Sequence, residues 1–393
     1  MEEKNNVQDN LFYYFIPMSI SKDLLGEAFD LNIKSEYLKG NVISILDQCK
    51  YIKSSFNLFD FLEKQNIENE KIDFNNIKFI ESSFYSFINL DIKDKKNNYA
   101  KLKYLVIKVK YELSNIDAIA FYNRIIFKTL SKIDNYFTNN KLKEINIDSE
   151  CKYYKPRVLS FVLSKESIDG NFDYFSSKSN LLSNASKDEI IKTKTERIHK
   201  DTLYSTSIRG ANIIKDNNNN SFMENSFENN YKSLFLLALN QIMICEYENE
   251  KVTEEIKEYN YKKTDNKNID KIIINIRREI ATYFFDVTTN VTNINLFYRD
   301  LLVNFVLEPS QKELMENVEI LNSLVNKNME RRRNWHDFFG KMVLGLQAIA
   351  LVILAILQVV QDEVKNDVVK YGLITGGVIL VLYAIYHLRG ILR

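Results

Sequence analysis

The chain is short of the residues that most catalytic and metal chemistry uses. It has three cysteines and three histidines in 393 residues. Cys49, Cys151 and Cys245 have no metal-ligand spacing and are odd in number. That excludes a zinc cluster and a closed disulfide framework, and the three read as free thiols in a reducing compartment. His199, His336 and His387 fall in no HExxH or similar motif, and no Ser-His-Asp or Cys-His arrangement can be drawn. A Gly-rich phosphate loop, a dinucleotide-binding fingerprint and a kinase signature are missing. Charge of one sign is lacking too. With 53 basic against 52 acidic residues the net charge is +1, so no global field draws nucleic acid to the chain. The N-terminus, MEEKNNVQDN, is polar, and no cleavable signal peptide is read there. Together these absences argue against an enzyme.

What is present lies at the C-terminal end. A charged helical pattern, Gln311 to Lys341, runs without a proline into an apolar stretch, Met342 to Val360. A polar loop, residues 361–370, follows, and a second apolar stretch begins at Tyr371. A bilayer core needs about 20 mostly apolar helical residues, and the two stretches predict two membrane spans. Arg331, Arg332, Arg333 and Lys341 precede the first, and Arg389 and Arg393 follow the second. Basic flanks mark the cytoplasmic side, so a multi-pass protein of the cell's inner (plasma) membrane is expected, with both termini in the cytosol.

Before that region the pattern mixes strands and helices. Leu11–Ile20 reads as a strand ended near Pro17. Asn41–Lys53 reads as a strand or a short helix. Lys101–Leu113 reads as the clearest strand, Ile116–Phe137 as a helix and Arg157–Ser164 as a strand. The expected class is an α+β cytosolic domain, a mixed sheet with helices, followed by long stalk helices and two C-terminal transmembrane helices. Residues 165–230 are rich in Ser, Asn and Lys and read as a flexible insertion of loops, with a helical piece at 187–199. Tyr231–Tyr247 reads as a buried helix, followed by a polar break at 248–268. Val287, Val291, Ile294, Tyr298, Leu301 and Phe305 make one apolar seam along a helix at 269–306, stopped by Pro309. Ser310 with Glu313 then predicts a capping box for the next helix. The implied domains are a ligand-sensing head over 1–265, stalk helices over 266–341 and a membrane domain over 342–388.

The first span carries a polar face. Gln347 and Gln358 are eleven residues apart, three helical turns, and Gly340 lies seven before Gln347. Two roles fit buried amides in a span: lining a pore, where rings of amide oxygens would coordinate a partly hydrated ion, or bonding neighbouring helices. On the pore reading Ala348, Leu351, Leu354 and Ala355 form an apolar constriction between the two Gln rings. Arg331, Arg332 and Arg333 serve either as a topology signal against lipid headgroups or as a basic ring at the inner mouth. Asp362, Glu363 and Asp367 form either an acidic ring at the outer mouth or an ordinary solvated loop. Trp335 is an interfacial anchor.

Three C-terminal elements in order, the SLFLLALNQ helix, the segment YFFDVTTNVTNINLFYRDLL with its following proline, and the stalk running into two spans, resemble the CorA family of metal-ion transporters. The resemblance implies a homopentamer in which the first span lines the pore, surrounded by membrane lipid. In that family a Gly-Met-Asn motif ends the first span and binds hydrated magnesium. Here the corresponding residues are LQVVQDE, 357–363, and the motif is absent. Divergent relatives act as membrane effectors in type III CRISPR immunity, opened by a nucleotide messenger, and the missing motif fits that branch. A nucleotide ligand would need phosphate donors and stacking faces. Arg124, Arg157, Arg197 and Arg209 are the candidates in the head, with Tyr204 to stack and Asn212 to offer an amide. A divalent cation is the other implied ligand. The alternatives are a magnesium-type transporter and a membrane-anchored scaffold or enzyme.

Overall fold

The structure, a computed structural model, describes residues 10–20, 27–31, 35–54, 56–64, 74–93, 99–133, 152–153, 155–182, 194–216, 221–259, 266–285, 287–361 and, near the C-terminus, 371–372, 375–376 and 378–379. The elements in order are β1 (Asn10–Ile20), β2 (Phe29–Asp30), α1 (Gly40–Leu46), β3 (Cys49–Lys53), α2 (Leu58–Lys64), β4 (Ile77–Lys93), β5 (Tyr99–Tyr111), α3 (Ile116–Leu130), β6 (Lys152–Tyr153), β7 (Arg157–Ser164), α4 (Phe172–Leu182), β8 (Lys194–His199), β9 (Thr202–Ser207), β10 (Gly210–Asp216), α5 (Ser221–Ser226), a π-turn (Phe227–Tyr231), α6 (Lys232–Glu258), α7 (Asn266–Tyr283), α8 (Thr292–Asn304) and α9 (Leu307–Gln361). They form two compact units. The first holds residues 1–251 and 276–315, and the second 252–275 and 316–393.

The first unit is built on one mixed sheet in the order β2-β3-β4-β5-β1-β7-β10-β9-β8, with β6 paired to the end of β1. All neighbours are antiparallel except β7 and β10. The aromatic strand β1 lies inside the sheet, and alternation sends its two sets of side chains to opposite faces. Phe12, Tyr14, Ile16 and Met18 join α2, α3 and α4 in the larger apolar cluster. Tyr13 and Phe15 meet Phe227 and Phe235 on the other side, where α6 and α8 pack through Phe235–Phe305 and Tyr231–Phe297. The sheet is thus covered on both faces, which is why β1 is a continuous apolar run. Contrary to the sequence reading, β1 does not stop near Pro17. It continues to Ile20, with Pro17 opposite Tyr104.

Three further readings are corrected. Residues 165–230 are no loop insertion: α4 covers the sheet and β8, β9 and β10 complete it, with every residue of β9 and β10 buried. Their Ser, Thr and Asn side chains disguised the strands, because pattern reading takes such residues as solvent-facing. The Asn217–Asn220 run lies outside the described residues. The break read at 248–268 is shorter, since α6 runs on to Glu258. The helix read over 269–306 is two helices, α7 and α8. Between them Lys39 N–H donates to Thr288 O (2.8 Å) and Thr289 pairs with Leu38 as an isolated bridge, so these backbone groups serve another segment.

The start of α9 differs as well. The chain breaks at Val306, whose φ of 60° is a left-handed conformation costly for a β-branched residue. Pro309 follows inside the first turn, where no N–H is missed. Ser310 is within the helix, its N–H donating to Val306 O at 3.3 Å. In the second unit α9 buries Val318, Leu321, Val325 and Asn328, and the ends of α6 and α7 bury Val252, Ile269 and Ile273. The Tyr259 hydroxyl donates to Leu324 O at 3.2 Å, tying the end of the α6 segment to α9.

Candidate functional site

The seam of α9 stops at Asn328. Arg331 to Asp337 are all exposed, and so is most of the helix beyond. Polar exposure is ordinary, but here it passes into apolar exposure. Leu344 and Leu351 are each 66% exposed and Leu354 60%. This is the one helix among the described residues that is long and apolar enough to cross a membrane, and none of its apolar window is buried. Contiguous apolar surface of that extent marks a protein or membrane interaction site. Gly340, Gln347, Leu351, Ala355 and Gln358 are all exposed on α9, and their 3.6-residue spacing puts them on one stripe. Just before the apolar stretch Trp335 stacks on Phe339 (centroids 5.4 Å) and meets Phe338 edge-on (5.9 Å). Asp362, Glu363 and Asp367, and most of the second expected span, lie outside the described residues.

The head candidates are scattered. Arg124 is exposed on α3. Arg197 on β8 pairs with Asp169 (2.8 Å) and covers the Phe172 ring (5.2 Å). Arg157, at the start of β7, is buried, donates to Lys155 O (3.2 Å) and lies over the Phe305 ring (5.6 Å). Arg209 occupies the β9–β10 turn and accepts a bond from Val158 N–H (3.0 Å), so Arg157 and Arg209 come from adjacent strand ends. Gly210 beside them is required by close approach: a Cβ there would stand 2.0 Å from Val158 O. Tyr204 and Asn212 are on opposite faces of the sheet, because Tyr204 is registered with Ile213 and Asn212 with Ser205. Tyr204 is 1% exposed, donates to Asp300 (2.6 Å) and packs edge-on against Phe297. Asn212 donates to Ser179 O (2.6 Å).

No protein-family model, curated protein or solved structure matches the chain. The residues therefore speak for themselves. Among the described residues no group of three or more His, Cys, Asp or Glu could hold a metal ion. Cys49 and Cys245 are free and buried, and burial pushes the Cys245 thiol up to about 12, far from a reactive thiolate. Cys151 lies outside the described residues.

Two polar clusters escaped the sequence reading. The first centres on Glu228 in the π-turn, a helix irregularity often found at functional sites. Its carboxylate accepts from the Tyr13 hydroxyl, from Lys108 (2.9 Å) and from Lys232 (2.7 Å). Both lysines also lie over the Tyr13 ring, at 5.3 and 5.0 Å. Burial raises the Glu228 pKa, but Lys232 and Lys108 more than reverse this and hold it at about 2. The second cluster is a row across three strands, Ser160, Asn212 and Ser205, all fully buried and in register. Ser160 Oγ, Ser205 Oγ and Asn212 Oδ1 have no hydrogen-bond partner. Of the first cluster only the Glu228–Lys232 spacing is visible in sequence; of the second, nothing is.

Proposed function

We propose that the protein is an oligomeric channel of the inner membrane, CorA-like in layout but without the Gly-Met-Asn filter, opened by a small cytosolic ligand. On this reading the chains assemble as a homopentamer, the stripe from Gly340 to Gln358 lines the pore and the two-layer-covered head is the sensor. The ligand is a nucleotide messenger of type III CRISPR defence, and no catalysis is involved. The observation that carries the reading is α9: one helix of 55 residues, packed near its start and with none of its apolar window buried. Such a surface needs lipid and copies of itself to cover it.

The test is ion flux from liposomes holding the purified full chain, with and without a panel of cyclic and linear adenylate messengers. Flux that needs a messenger supports the proposal. Constitutive magnesium flux would replace it with transport, and no flux under any condition would leave a membrane-anchored scaffold or enzyme. Five-fold symmetric particles in detergent are expected. Gln358→Leu should alter conductance or ion preference, because it removes one amide ring; unchanged currents would assign Gln358 to helix packing.

A further inference from the structure

A pair of acidic residues between α6 and α7 plays no part in the proposed pore. Gln241 on α6 donates to Tyr283 O on α7 at 2.8 Å, which fixes the register of these two helices at one point. α6 leads from Gln241 to Glu248 in two turns. The chain sense of α7 brings Ile276 the same two turns back from Tyr283, and Glu279 is the next turn on the same side. Both carboxylates belong to the first unit. Glu248 is 5% exposed and is held by Lys251 at 3.2 Å. Glu279 Oε2 is buried and accepts no hydrogen bond.

A buried carboxylate oxygen without a donor is costly when charged, and a second carboxylate nearby raises that cost. We propose that Glu248 and Glu279 form a proton-sensitive clasp, closed while Glu279 carries a proton and loosened when that proton leaves to solvent. The groups acting on Glu279 are Glu248 and Lys251 from α6 and Arg278 from its own helix. On the α9 side Asn249 is engaged by Glu313 at 2.9 Å. Burial first, and Glu248 second, push Glu279 up to about 7, with Lys251 and Arg278 opposing. Glu248 is also raised by burial and partly relieved by Lys251. A carboxyl raised in the folded state stabilises it below the ordinary carboxylate range, and this contribution is lost as pH rises through about 7. The clasp therefore loosens on alkalinisation across the range a cytosol visits.

The experiment is thermal unfolding of the detergent-purified full chain between pH 5.5 and 8.5. Subtracting the curve of Glu279→Gln, an isosteric neutral mimic, removes the background titration. Relative to the variant the wild type should lose on the order of 5 °C from the acid end of this range and level off above about pH 7, because the loss runs between the unfolded and the folded pKa. Glu248→Gln should move that levelling-off to lower pH, since it removes the like charge; a residue with only a packing role would not. Protection of the α6 and α7 amides in the unmodified protein, taken relative to the base-catalysed intrinsic exchange rate, should fall over the same interval, which serves if either variant fails to fold. A flat difference curve, an unmoved levelling-off point in Glu248→Gln, or pH-independent protection would overturn the clasp. None of these readouts involves ion flux, so the clasp and the channel can fail separately.

Discussion

Glu228 shows how much one side chain can organise. It is drawn from a π-turn and neutralises two lysines that come from β5 and α6. Glu228→Gln leaves those lysines facing each other over the Tyr13 ring. At neutral pH it should cost roughly 2–3 kcal/mol, read as a denaturant midpoint, since the cluster is only partly screened by water. Because the Glu228 pKa is depressed to about 2, that stabilisation is present above the ordinary carboxylate range and fades as pH falls toward 2. Tyr204→Phe removes the donor to a buried carboxylate, Asp300, and should cost about 1–3 kcal/mol. Gly210→Ala is expected to be worse than either, because its Cβ would strike the backbone carbonyl of Val158 rather than a movable side chain. The chain should then lose soluble, folded head material in expression trials.

At the scale of elements, legibility followed periodicity. β7 is legible with its observed ends, β1 and β5 within a few residues and α3 at its start, Ile116, though not at its Leu130 end, because each has a dominant apolar alternation or 3.6-residue stripe. β9 and β10 are hidden from pattern reading because TLYSTS and GANIIKD bury hydroxyls and amides, residue types that ordinarily face solvent. The join of α8 to α9 was misplaced for a related reason. Pro309 and Ser310 carry the usual signals, yet the break falls earlier, at Val306, where no signal exists. Relief of that left-handed conformation predicts that Val306→Gly stays within about 1 kcal/mol of the wild type, the gain offsetting glycine's greater chain entropy. A loss well beyond that in chemical denaturation would mean that the Val306 side chain contributes more by packing than its backbone loses.

For the whole molecule, the decisive feature is an exposed apolar helix attached to a well-packed mixed-sheet head. On the proposed membrane reading, Leu351→Asp places a charge near the middle of the apolar stretch and should cost roughly 3 kcal/mol of insertion. The variant should leave the membrane fraction or aggregate, while head variants such as Glu228→Gln should fractionate like the wild type. Composition and hydropathy determined by themselves that an apolar helix lies near the C-terminal end and that strands precede long helices. These are local properties, readable wherever burial has a short period. Tertiary structure alone decided the nine-strand order, the separation of Tyr204 from Asn212 across the sheet, the lysine cradle of Glu228 and the burial of Glu279 Oε2 without a donor. Each depends on residues far apart in sequence meeting in low-dielectric surroundings, and no short pattern in the chain records such a meeting.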